Sequence, residues 1–92
     1  MSTRIETKEI DPASAEAFRA EVRDAVDHAA DVGGQVVLDF SDVVFIDSTG
    51  ITVLLDAHRT LGAQDRTFTI ENAAPHIRRL FEITGLEHFL AA

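Results

Sequence analysis

The chain has 92 residues, 46% of them apolar, which is enough for one thin hydrophobic core and too little for a second domain. Sixteen acidic residues against eight basic ones give a formal charge of −8, which argues against a nucleic-acid or anionic-membrane surface built from clustered Lys and Arg. Cysteine is absent, so no disulfide framework or thiolate metal site is expected, and no apolar run is long enough for a membrane span or a secretory signal. The cytoplasm is the expected location.

Residues 3–10 carry Ile5 and Ile10 among polar neighbours and read as an edge strand. Asp11-Pro12 then opens a helix, with Asp11 as N-cap and Pro12 at the first helical position. Phe18, Val22, Ala25, Val26 and Ala29 share one face of that helix, and Gly33-Gly34 ends it. Val36–Phe40 is a short apolar run that fits a central strand buried on both faces. After a turn at Ser41-Asp42, Val43–Ile46 leads the chain back into the core. A second helix starts at Ser48 or Thr49 and ends near Leu61-Gly62. Thr67–Ile70 is the next strand, Pro75 opens a third helix with Ile77, Leu80 and Phe81, and Gly85 closes it. The order β-α-β-α-β-α predicts one α/β domain over residues 1–92, a mostly parallel or mixed sheet with helices packed on it.

Ser48 stands where a buried strand gives way to the second helix. Free backbone N–H groups and the helix dipole meet any anion attached there, and a phosphate adds about −1.5 to −2 charges. The competing reading makes Ser48 an ordinary helix cap. On a helical wheel Ile51, Leu54, Leu55, His58 and Leu61 point inward. Ser48, Thr52, Asp56 and Arg59 point outward, with Val53 and Thr60 at the margin. Ser48 is thus placed within reach of another protein.

Val36–Val43 followed by Phe45-Ile46-Asp47-Ser48-Thr49-Gly50-Ile51 resembles the signature of STAS domains, and is most similar to the bacterial anti-sigma factor antagonists. The likeness extends over roughly residues 9–90. It implies a phosphorylation switch without catalysis or cofactor. Ser48 matches the phosphoacceptor, and Asp47, Thr49 and Gly50 match the motif beside it. Asp11 matches the acidic position before the first helix. With Thr52, Val53 and Asp56 of the outward stripe, these residues form the expected partner surface. The implied partners are an anti-sigma factor of GHKL serine kinase type, which modifies Ser48, and a metal-dependent serine phosphatase, which resets it. STAS-like proteins also serve as subunits of lipid-transport ABC complexes and as stressosome scaffolds, and this is the alternative reading.

Such proteins usually carry two strands before the first helix, whereas only about nine residues precede Asp11 here. One strand is therefore expected to be missing or supplied otherwise, leaving a sheet edge open to a second copy of the chain or to a contact within a larger assembly. Other chemistries fit poorly. Asp47-Ser48-Thr49-Gly50 is one residue longer than an aspartic-protease motif, and Gly33-Gly34 lacks the Lys of a P-loop. His28, His58, His76 and His88 show no HExxH spacing, and His58 is read as a packed or hydrogen-bonded residue rather than a metal ligand.

Overall fold

In the computed structural model, which describes residues 2–91, the segment before the first helix forms two strands of two residues each, β1 (Thr3–Arg4) and β2 (Glu9–Ile10). A change of parity separates them. The Ile5 N–H bonds to Asp39 O at 3.0 Å, so odd-numbered residues turn their backbone groups toward the neighbouring strand. Farther along, Lys8 O accepts from Val44 N–H and Ile10 O accepts from Asp47 N–H, so even-numbered residues do so. The flip behaves as a bulge and lets both Ile5 and Ile10 reach the core, where each is fully buried. Strict alternation would have left one of them outside.

The first helix, α1 (Ala15–Val32), begins three residues later than Asp11-Pro12 predicts, and Ser14 occupies its N-cap position. Residues 11–14 make a turn instead. Ser14 N–H donates to Asp11 Oδ1 at 3.0 Å and Asp11 N–H donates to Ser14 Oγ at 3.0 Å. Asp11 therefore organises the approach to the helix rather than its first turn. Phe18, Val22, Ala25 and Ala29 are buried as their spacing predicts, and Gly33 closes α1 in the left-handed conformation with φ 68°.

β3 (Val36–Asp39) lies between β1 and β5 (Phe68–Glu71) in a parallel three-stranded sheet. It is central, but not buried on both faces: Val36 and Leu38 are buried, whereas Val37 and Asp39 are half-buried. β4 (Phe45–Ile46) pairs in parallel with β2, Glu9 opposite Phe45 and Ile10 opposite Ile46. One segment, 3–10, thus serves as partner to β3 first and β4 second. α2 (Ser48–Gly62) and α3 (Pro75–Ile83) follow β4 and β5, and Glu87–Phe89 forms a 3-10 turn. The core joins all these elements. Phe18 meets Phe40 edge-to-face at 6.2 Å, and Phe68 stacks on Phe89 at 4.6 Å.

Both sheet edges are partly covered. At the β5 edge, Ala91 N–H donates to Ile70 O at 2.8 Å. At the other edge two side chains of the α1 region reach over the outward backbone groups. Glu21 accepts from Glu6 N–H, and Ser14 Oγ donates to Glu9 O. The edge left to a second copy is therefore much shorter than the missing strand implied. Two short strands stand before α1, and helix side chains replace the further strand as cover.

Candidate functional site

The site begins with the way α2 is started. Asp47, not Ser48, is the N-cap: its backbone is extended (φ −116°, ψ −168°) and its Oδ1 accepts from Thr49 N–H at 2.9 Å. The Thr49 hydroxyl donates to the same carboxylate oxygen. That hydroxyl bond, joined by the Thr49 and Gly50 backbone N–H groups, holds the Asp47 carboxyl below its ordinary range against a smaller desolvation effect. Capping is thus done by the residue before Ser48, and the reading of Ser48 as the cap fails.

Ser48 occupies the first helical position and is exposed. Its carbonyl accepts from the Thr52 hydroxyl at 2.9 Å, while its own hydroxyl has no hydrogen-bond partner among the described residues. Thr49 is half-buried with its hydroxyl engaged, so the two neighbouring hydroxyls differ in availability. Only that of Ser48 is both outward and free.

Gly50 is buried beneath this turn. A Cβ at this position would lie 2.6 Å from Ile10 Cγ2 and 2.6 Å from Ile46 Cγ1, closer than packed carbons approach. Glycine therefore lets the start of α2 rest directly on the β2–β4 pair. It sets the position of Ser48 from below and offers no surface to a partner.

Asp11 arrives beside the motif through strand register. Ile10 pairs with Ile46, and Asp47 N–H continues the ladder to Ile10 O at 3.1 Å, so β2 and β4 release Asp11 and Asp47 at the same end. Asp47 directly precedes Ser48, and Asp11 leaves the neighbouring strand at the same end.

The outward stripe of α2 is narrower than the helical wheel implied. Thr52 is exposed, but Val53 is 3% exposed and belongs to the core, because α1 packs on that flank of α2. Asp56 is half-buried and ion-paired with Arg19 of α1 at 3.2 Å, beside the groove between the two helices. Of the expected partner residues, Ser48 and Thr52 are exposed, Asp11, Asp47 and Thr49 are half-buried at the ends of β2 and β4 and the start of α2, Gly50 and Val53 lie beneath the surface, and Asp56 pairs with Arg19 of α1.

Val44 and Phe45 are the residues that sequence reading placed wrongly. Expected to lead into the core, they are 55% and 46% exposed. Val43 and Ile46 take the buried positions instead. His58 is half-buried and packs 5.1 Å from Phe89, with its Nδ1 unpartnered among the described residues. Among those residues no group of three or more His, Asp or Glu side chains is placed to hold a metal ion, and no helix is long and apolar enough to cross a membrane.

Comparison with known proteins agrees with this fold. The family model described as Mlab, STAS domain matches residues 7–91. An anti-sigma-B factor antagonist of Bacillus subtilis (strain 168) is 31% identical over 61 residues, 66% of this chain; the chain spans 56% of that relative's length. The structure of the Bacillus cell fate determinant SpoIIAA in its phosphorylated form is 26% identical and superposes with a TM-score of 0.62, covering 96% of this chain and 77% of that one. The anti-sigma factor antagonist SpoIIAA in its unphosphorylated form shares the fold at 23% identity, with a TM-score of 0.67 over 95% of this chain and 82% of that one.

Proposed function

The chain belongs to the STAS domain family, and we propose that it is an anti-sigma factor antagonist whose binding is switched by phosphorylation of Ser48. It is a regulatory binding protein rather than an enzyme. The observation that carries this reading is the free, exposed hydroxyl at the first position of α2, set between a capping aspartate and a glycine that seats the helix. A solved relative at 26% identity has been captured in a phosphorylated form, which supports the same chemistry here.

In this reading the unmodified chain binds a cytoplasmic anti-sigma factor of GHKL serine kinase type. The kinase transfers a phosphoryl group to Ser48 Oγ and the complex separates. A metal-dependent phosphatase then restores the hydroxyl. The physical basis of release is local. Asp11 and Asp47 already place negative charge around Ser48, and no Lys or Arg forms an ion pair with either among the described residues. A phosphate added there brings charge and bulk to a surface that must fit closely against a partner.

The test is direct. Ser48→Ala is expected to keep kinase binding and abolish the single added phosphate seen by intact mass after incubation with kinase and ATP. Ser48→Asp is expected to weaken binding by roughly tenfold or more. A phosphate that persists on Ser48→Ala would move the site elsewhere. The description of the matched family favours one second reading, a non-switching subunit of a lipid-transport ABC complex. Co-purification with a transporter ATPase, indifferent to substitution of Ser48, would establish that reading instead.

A further inference from the structure

Val44 and Phe45 form an exposed apolar pair next to the switch, and nothing in the fold uses it. The pair is held firmly. Val44 N–H donates to Lys8 O at 2.8 Å, Phe45 N–H donates to the same oxygen at 3.2 Å, and Val44 O is hydrogen-bonded to His76 Nε2 at 2.7 Å. Backbone fixed on both sides leaves little main-chain freedom to lose on binding.

Distance ties the pair to Ser48. Phe45 lies three residues before Ser48, about 10 Å along an extended strand. A stable protein interface takes about 800 Å² from each partner, a patch roughly 30 Å across. Ile46 turns toward Gly50 and Phe45 to the opposite face of the strand, and an interface of that width centred on Ser48 reaches Phe45 where it wraps the end of β4. Acidic groups outnumber basic ones around the pair: Glu9 stands opposite Phe45 in the strand register, Asp47 follows in sequence and Asp42 precedes, against Lys8 and His76 on the pair's backbone and Arg4 beside Asp42 at 3.8 Å.

We infer that Val44 and Phe45 are the apolar anchor of the surface that binds the anti-sigma factor kinase, and that the kinase meets them with an apolar socket flanked by Lys or Arg. The inference rests on the switch reading and extends it: Ser48 controls the complex, whereas Phe45 supplies much of its affinity. Central aromatic residues of this kind dominate binding when they are enclosed by a polar rim.

Titration calorimetry with the purified kinase that phosphorylates Ser48 tests it, using the whole chain and the variants Phe45→Ser, Phe45→Leu, Val44→Ser and Ser48→Asp. Phe45→Ser is expected to weaken binding about tenfold or more with an unchanged melting temperature. Phe45→Leu should retain most of the affinity. Val44, the more exposed of the two, gives an independent reading if Phe45→Ser disturbs folding. Should Phe45→Ser and Val44→Ser both bind within about twofold of the parent while Ser48→Asp is weakened, the anchor is refuted and the switch stands. Should Ser48→Asp be unaffected too, both ideas fall together.

Discussion

Around Ser48 three residues divide the work, and each can be tested alone. Asp47 starts the helix with a carboxylate whose pKa is depressed below 3.8. Its contribution to stability is therefore fully present above that value and is lost as pH falls through the lower folded-state value. Thermal melts of Asp47→Ala should lie below the parent at neutral pH and converge with it in acid; a constant gap across pH would assign the loss to something other than the charge. Gly50→Ala forces a methyl against Ile10 and Ile46 and should cost about 1–3 kcal/mol. Adding Ile46→Val should recover little of that loss, since it removes Cδ1 at 2.9 Å but keeps Cγ1 at 2.6 Å. The identity of Ser48 as a candidate was legible from the motif, and so was its outward direction. The role of Gly50 was not, because a glycine required by an approach from a distant segment looks the same in sequence as one required by a turn.

At the scale of elements, the three helices and the strands Val36–Asp39 and Phe68–Glu71 could be read from periodicity and from Gly and Pro punctuation. The segment 3–10 could not be read fully, because its bulge breaks the alternation on which strand reading depends. The start of α1 was displaced for a related reason. Asp and Pro at 11 and 12 serve equally well in a turn that precedes a helix, and Ser14 supplies the later boundary. Val53 was misplaced because the wheel assumed one buried face, whereas α2 is packed by both the sheet and α1. Glu21 should prove the fastening of the bulge. Glu21→Ala is expected to speed hydrogen exchange at the Glu6 amide, which bonds to it, while leaving the amides of β3 protected. Equal protection in both proteins would show that the contact is not maintained in solution.

For the whole molecule, the question is association. An edge strand with free backbone groups invites pairing, and here Glu21 takes the Glu6 N–H and Ser14 the Glu9 carbonyl, so the uncovered stretch is short and interrupted. A net charge of −8 adds repulsion between copies. Sedimentation velocity at micromolar concentration is therefore expected to show monomer for the parent chain. The double variant Ser14→Ala with Glu21→Ala should bring a dimer into view, and a dimer already present in the parent would show that the edge is more accessible than its cover allows.

The double duty of the segment 3–10 also dictates an order in time. Its parallel partners, β3 and β4, lie more than thirty residues downstream. During synthesis Ile5 and Ile10 leave the ribosome with no strand to join, and they wait until residue 46 has followed them out. At about 5–20 residues per second that wait lasts a few seconds. Ile10, one of the side chains on which the start of α2 rests, is thus seated only after β4 has been made, and the Ser48 turn cannot take its place before then.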